Sequence, residues 1–268
     1  MQRATSTSPG ATPMTAAGRL LSVLDAFAPG RSTLTLSEIS RRAGLSLTTA
    51  HRLAGELVNW GALERDADGR YRIGLHLLEL AALAPRGLEL RELAQPFLED
   101  LFHSTRAHVH LAVRDGAEVV YVETIRARGA VTVLSRLGQR WPLHATGTGL
   151  VLLAFAGHEL QEHVLARPLK RYTHRTVTDP RVLRRTLAEV RRTGIAVAEE
   201  QLTLEGVAVA APIRGPGDEV VAALGLVVHM NECEPRALVP VMTAAARGIS
   251  RALGAPSAKG YGGAVKGR

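Results

Sequence analysis

Thr48, Thr49, His51 and Arg52 fall within one and a half turns of the stretch LSLTTAHRLAGELVNWGAL (45–63), in which Leu53, Leu57 and Val58 recur at helical spacing. One face of that helix serves the core. The other presents hydroxyls, an imidazole and a guanidinium, which is chemistry suited to nucleic acid. An arginine gives paired hydrogen bonds to guanine, and a threonine meets a thymine methyl or a phosphate. The helix N-terminus itself favours a phosphate. In a helix-turn-helix the start of the second helix reaches base edges. The candidates are therefore Leu47, Thr48, Thr49, His51 and Arg52, behind a capping Ser46. Arg41 and Arg42 precede this helix and are candidates for phosphate contacts; Arg70 and Arg72 follow it, where they could meet phosphates or the adjacent minor groove. A three-helix unit with polar surface residues also serves as a plain small domain or a dimerisation module. The cap spacing and the basic residues that follow favour nucleic acid.

A second constellation is LHATGTGLV (143–151). Ala145, Thr146, Gly147 and Thr148 are small residues at the entrance to an apolar helix, where accessible N–H groups and the helix dipole favour a small carboxylate. The same glycines serve equally well to let helix and sheet pack closely. His108 and His110 share a strand face and, with His144, raise the question of a metal. No second Cys, His or Asp pair stands at a zinc-like spacing, so no metal is expected. At least one of these histidines is expected to line a ligand pocket or to be a satisfied polar residue. Cys233 is the only cysteine, and its neighbours Glu232 and Glu234 would raise its pKa, which argues against a redox sensor.

No catalytic constellation accompanies them. The dinucleotide and phosphate-loop fingerprints are missing, and so is a G-x-S-x-G elbow. Glu199 and Glu200 are adjacent, so on a strand their carboxylates point to opposite faces. The expectation is a chain that is not an enzyme and needs no cofactor.

The elements that must position these residues can be read from periodicity and punctuation. Residues 1–14 are Ser, Thr, Pro and Gly-rich and read as a disordered arm. A helix from Ala16, with Leu20, Leu21, Leu24 and Phe27 on one face, ends at Pro29-Gly30. A second helix carries Leu36, Ile39 and Ala43, with Thr35 or Ser37 as cap, and Gly44 breaks the chain before the helix that runs to Trp60 and stops at Gly61. Leu63 and Tyr71–Ile73 read as strands about an Asp68-Gly69 hairpin turn, a wing. The reading is a DNA-binding unit over 15–75, a linker helix over 76–87 interrupted at Pro85–Gly87, and a second domain over 88–254. That domain opens with an amphipathic helix from Leu88 to His103. Strands follow around Val109–Val113, Glu118–Ile125, Ala130–Leu134, Ile195–Ala198, Val207–Ile213 and Val220–His229. Helices fill Gly147–Ala156, Glu159–Leu165, Pro180–Thr193 and Pro235–Leu253. Strands framed by helices make a mixed α+β domain. Residues 255–268 read as a disordered tail.

Bulk properties agree. The 268 residues are 46% hydrophobic and only 4% aromatic, so the cores must be built of Leu, Val and Ala. The net charge of +8 favours a polyanionic partner. One cysteine fits a reducing compartment, and neither a signal peptide nor a membrane span is legible, so the chain reads as soluble and cytoplasmic.

The segments LTLSEISRRAGLSLTTAHRLAGELVNWGALERDADGRYRIG, LRELAQPFLEDL, WPLHATGTGLVLLAF, YTHRTVTDPRVLRRTLAEVRRTGIAVAEEQLTLEGVAVAAPI and RGISRALG occur in this order between Thr15 and Gly254. In them the chain resembles the IclR-type transcriptional regulators. The resemblance implies a winged helix-turn-helix, a linker helix and a GAF-like mixed α/β effector domain. It also implies homodimers, or dimers of dimers, on a near-palindromic operator in double-stranded DNA. A small organic acid would modulate binding, with repression of a catabolic operon as the default sense; activators occur among similar proteins, and a ligand-independent DNA-binding protein is the remaining alternative. By alignment the effector would be cupped by the Ala145–Thr148 loop and by Val133, Glu199 or Glu200, Ala210, Gly225 and Val227. Gly225 and Val227 stand where similar proteins can carry serines, which implies a more apolar floor and an aromatic or aliphatic acid.

Overall fold

The structure is a computed structural model that describes residues 14–27, 31–83, 85–127, 136–232 and 234–258. Contacts divide the chain into two units, Met1–Pro85 and Arg86–Arg268.

In the first unit, α1 (Ala16–Asp25) is capped by Thr15, whose hydroxyl accepts from the Gly18 N–H at 3.0 Å. A two-residue strand β1 (Thr33–Leu34), too short to show alternation in sequence, precedes α2 (Leu36–Ala43). Thr35, rather than Ser37, caps α2: its hydroxyl accepts from the Glu38 N–H while the Glu38 carboxylate accepts from the Thr35 N–H at 2.9 Å, a reciprocal capping box. Gly44, at φ 66°, ends α2 in the left-handed region. Ser46 then caps α3 (Leu47–Trp60), which Gly61 closes at φ 88°. β2 (Leu63–Arg65) pairs antiparallel with β3 (Tyr71–Ile73), and β1 joins on the far side of β3. The hairpin is not the two-residue turn expected at Asp68-Gly69. Among these residues only Gly69 has a positive φ, and the Asp66 N–H bonds the Arg70 carbonyl, so the loop is three residues long. The core gathers Val23 from α1, Leu34, Ile39 from α2, Ala50, Leu53, Ala54 and Leu57 from α3, and Leu63 and Tyr71 from the wing.

Thr35→Ala removes the cap of α2 and is expected to destabilise this unit by about 1 kcal/mol, read as a lower denaturant midpoint. The Glu38 carboxyl is held below its ordinary pKa, chiefly by the Thr35 N–H and then by the Thr35 hydroxyl. A depressed carboxyl stabilises above its unfolded pKa and loses that contribution as pH falls through the folded value. The Thr35→Ala penalty is therefore expected to shrink under acid; a penalty independent of pH would refute the capping role.

α4 (Leu75–Ala81) follows the wing, and α5 (Pro85–Thr105) opens the second unit. The expected interruption at Pro85–Gly87 is instead the first turn of α5. A proline at the first helical position loses no hydrogen bond, because that N–H has no intrahelical acceptor anyway.

The second unit is a six-stranded antiparallel sheet between two helical layers. The strands are β4 (His108–Asp115), β5 (Glu118–Ile125), β6 (Arg140–Pro142), β7 (Ala196–Glu199), β8 (Gly206–Arg214) and β9 (Val220–His229), in the order β6-β5-β4-β9-β8-β7. The helices are α6 (Gly147–Ala154), α7 (His158–Leu165), α8 (Pro180–Thr193) and α9 (Val239–Ala252). One face packs Leu90, Leu98 and Leu101 of α5 and Met242 and Ile249 of α9 against Val109, Leu111, Val209, Ile213 and Leu224. The other packs α6, α7 and α8 against Ala112, Tyr121, Ala198, Ala210 and Ala223. Both cores are aliphatic, as the scarcity of aromatics requires.

Four expectations change here. β6 is three residues long and carries no periodic signal. The helix expected over Pro235–Leu253 is a 3-10 turn at Pro235–Leu238 followed by α9. The tail does not begin at residue 255: Ala255 and Ala258 are buried, and the Asp218 carboxylate accepts from the Ser257 N–H at 3.3 Å. Finally, Pro29-Gly30, the strand Ala130–Leu134 with Val133, and Cys233 lie outside the described residues. Among the described residues no helix is long and apolar enough to cross a membrane.

Candidate functional site

The first candidate is the exposed start of α3. Ser46 is spent locally: its hydroxyl accepts from the Thr49 N–H at 3.3 Å and donates to the Thr49 hydroxyl at 2.9 Å. Leu47, Thr48, His51 and Arg52 are exposed beside that cap, and Thr49 is half-buried. The Arg52 guanidinium is ion-paired with Glu56 one turn further along the same face. Both partners are exposed, so the pair is weak and exchangeable for a base edge.

The other arginines divide. Arg41 makes no hydrogen bond or ion pair among the described residues and stays available beside α3. Arg42 donates through Nη1 to the Ala26 carbonyl at 2.7 Å, tying α2 to α1, so its expected phosphate role competes with a structural one. Arg70 extends from the wing, its backbone N–H bonded to the Asp66 carboxylate. Arg72 faces Glu64 across the hairpin and is bidentate to its Oε2, at 2.8 Å from Nε and 2.6 Å from Nη2. That pair, with the Leu75 N–H, holds the Glu64 carboxyl below its usual range. Arg65, not anticipated as a site residue, adds a cation stacked 5.5 Å over the Tyr71 ring.

The second candidate is a pocket at the N-terminus of α6, on the helical face of the sheet, with about 520 Å³ of space between its walls, its mouth included. Ala145, Thr146, Gly147 and Thr148 form one wall, and Gly225 and Val227 of β9 lie opposite. Thr146 caps α6 by accepting from the Gly149 N–H at 3.0 Å. The N–H groups of Gly147 and Thr148, first in the helix, have no intrahelical acceptor. The glycines serve both purposes that the sequence leaves open. A Cβ on Gly149 would lie 2.4 Å from the Leu143 carbonyl oxygen, so Gly149 permits packing. A Cβ on Gly225 would lie 2.7 Å from the Thr148 methyl, so the bare glycine makes room for Thr148.

Three expected lining residues are displaced. Glu199 is exposed at the end of β7. Glu200 adopts φ 50°, and its carboxylate turns away to accept from the Glu205 N–H at 3.0 Å, with Arg175 3.7 Å off. Ala210 packs beneath Gly147, and Ala208, one strand pair along, faces the pocket in its place. The left-handed turn at Glu200 instead delivers Gln201, with Leu202 and Thr203, to the pocket. Thr173 donates to the Glu200 carbonyl at 2.5 Å and Thr176 to the Gln201 carbonyl at 2.7 Å, which clasps that turn.

His110 and Tyr121 complete the wall, their rings 5.1 Å apart. Of the histidines weighed from sequence, His110 alone lines the pocket. His108 accepts from the Ala127 N–H at 3.2 Å, and His144 bonds the Lys170 carbonyl at 2.9 Å. His110 is fully buried, and neither ring nitrogen has a hydrogen-bond partner; the Gln201 Oε1 is likewise buried and unpartnered. Burial first, then the charges of His108 and Arg126, push the His110 pKa down to about 3, so the imidazole is neutral. No cluster of three or more metal-ligating side chains exists among the described residues.

Known proteins share this architecture. Residues 83–251 match the family model of the bacterial transcriptional regulator IclR C-terminal domain, and residues 16–67 match that of the IclR helix-turn-helix domain. The HTH-type transcriptional regulator XynR of Escherichia coli is 32% identical over 89% of this chain and 97% of its own length. The glycerol operon regulatory protein of Streptomyces coelicolor is 34% identical over 88% and 95%. A solved IclR homologue from Microbacterium hydrocarbonoxydans, complexed with 4-hydroxybenzoate, is 40% identical, with a TM-score of 0.83, covering 88% of this chain and 97% of that one. The relatives and both domain models are transcriptional regulators, not enzymes.

Proposed function

This chain belongs to the IclR family of transcriptional regulators and binds DNA through its helix-turn-helix, and from that premise we propose that it is a cytoplasmic repressor of a catabolic operon, released from or locked onto its operator by a small organic acid. What carries the effector reading is the pocket at α6, where two free N–H groups and the dipole favour a carboxylate and where buried His110 and Gln201 lack partners. The relative that binds 4-hydroxybenzoate supports an acid with an apolar, ring-sized body, as do the apolar walls here. The acid must bind the DNA-competent and DNA-incompetent arrangements with different affinity to shift either.

We further propose a homodimer, with the outer face of α4 covered by a second copy. None of the seven residues of α4 is buried, and Leu75 and Leu78 are 68% and 67% exposed. So short a helix does not persist without packing, and a two-fold dimer matches a near-palindromic operator. Changing Leu75 and Leu78 together to glutamate is expected to yield monomers in sedimentation and to cost most of the operator affinity. Dimers that survive the change would sink this interface.

The test of the function is to sequence what the protein retains from sheared DNA of its own genome, with and without candidate acids, and to place a reporter behind the recovered sites. A few recurrent near-palindromes, and a reporter that rises when the acid is added, are expected. Uniform recovery would refute sequence-specific regulation, and a reporter that falls on deletion of the gene would replace repression with activation.

A further inference from the structure

The reading of the α6 pocket as an effector site leaves its deep wall unexplained. A carboxylate at Gly147 and Thr148 uses the helix N-terminus and nothing else. His110 and the Gln201 Oε1 also line this pocket, both more than nine-tenths buried and both without partners. Buried polar groups left unmatched are costly, and native cores avoid them unless something else supplies the match. The two are chemically complementary as a pair. The neutral imidazole has one donor nitrogen and one acceptor nitrogen, and the amide oxygen is an acceptor.

The matching group is constrained by its surroundings. A cation is disfavoured, because His108 and Arg126 already oppose positive charge at His110. A second carboxylate is disfavoured, because the Gln201 Oε1 would face its oxygens with no proton between them. A hydroxyl satisfies both sides: it donates to the amide oxygen or the basic ring nitrogen and accepts from the imidazole N–H. Between the two polar ends the walls are apolar, formed by Ala145, Ala198, Leu202, Leu226 and Val227 with the Tyr121 ring. We infer that the ligand is a hydroxylated carboxylate on an apolar, ring-sized body, with its hydroxyl read by His110 and Gln201 and its carboxylate held at α6. This rests on the effector reading of the same pocket. His110 and Gln201 are thereby specificity determinants, for which the sequence resemblance offers no counterpart.

Titration calorimetry of the full-length chain with benzoate, 3-hydroxybenzoate and 4-hydroxybenzoate tests it. One hydroxylated isomer is expected to bind at least about a hundredfold tighter than benzoate, since a site built to bond a hydroxyl rejects the analogue that lacks it. Gln201→Leu should bring that isomer down to the level of benzoate and leave benzoate within about threefold, a difference that a merely structural role would not produce. His110→Phe should do the same; because it alters a core position, Gln201→Leu is the deciding variant. Gly225→Leu, which fills the pocket, should abolish binding of all three acids. Benzoate binding as tightly as both hydroxylated acids, with Gly225→Leu blocking it, would overturn the hydroxyl and leave the effector pocket standing. Unchanged selectivity in Gln201→Leu would overturn the residue assignment. Binding of none of the three to the wild-type chain, or binding that Gly225→Leu leaves intact, would overturn the effector reading and this inference together.

Discussion

Gly74→Ala is expected to unfold the N-terminal unit and abolish DNA binding. A Cβ at position 74 would lie 2.1 Å from the Gly61 carbonyl oxygen, a backbone atom that no side-chain rotation can move aside. Neither partner is free to retreat. The Gly74 N–H bonds the Ala62 carbonyl at 2.8 Å, and Gly61 ends α3 in the left-handed region with its N–H on the Val58 carbonyl at 3.0 Å. Relief of the overlap must pull the end of β3 away from the end of α3. It must also disturb the edge contact of Trp60 with His76, whose ring centroids are 4.5 Å apart. Overpacking with backbone displacement costs about 3 kcal/mol or more, a large share of the stability of so small a unit. Hydrogen exchange should show the α3 amides unprotected while β8 and β9 keep their protection. Full protection of α3 in the variant would refute the close approach.

Arg52→Ala is expected to lower affinity for the preferred operator by between about tenfold and a hundredfold while leaving weak, salt-dependent binding to other DNA almost unchanged, the signature of a lost base contact. In the free protein Arg52 pairs with Glu56, and the operator must take over that guanidinium. Glu56→Ala is therefore expected to preserve sequence preference. Arg72→Ala should behave differently again, weakening all sequences alike and reducing the salt slope by about one. The effect of Arg72 also carries the loss of its cross-strand pair with Glu64. A fluorescence anisotropy series against operator and scrambled duplexes at several salt concentrations separates the three. Loss of affinity without loss of preference in Arg52→Ala would move the base-reading role elsewhere on α3.

Much of the DNA-binding unit was legible because its determinants are local. Thr35, Gly44, Ser46 and Gly61 act within three or four residues of themselves: a hydroxyl reaches the third N–H along, and a left-handed glycine ends a helix wherever it falls. The apolar spacing of α8 and β9 places both elements over the expected residues for the same reason. Short pieces were not legible, since β1 and β6 have two and three residues and no period to read.

By itself, then, the sequence determined the helices, their caps, the wing and the small-residue entrance to α6. Only tertiary structure decided what the pocket presents to a ligand. Glu199, Glu200 and Gln201 are three consecutive polar residues, and nothing in their types says which one turns inward. One left-handed residue at Glu200, held by Thr173 and Thr176 from 25 or more positions away, sends its own carboxylate outward and Gln201 inward. The choice of Ala208 over Ala210 likewise follows from the pairing of Ala208 with Val227 across β8 and β9. His110 is buried without a partner because β4 sits at the centre of the sheet, beneath α6. Helix caps are set by bonds along the chain; the lining of a pocket is set by register between strands far apart in it, and a shift of a single residue exchanges one face for the other.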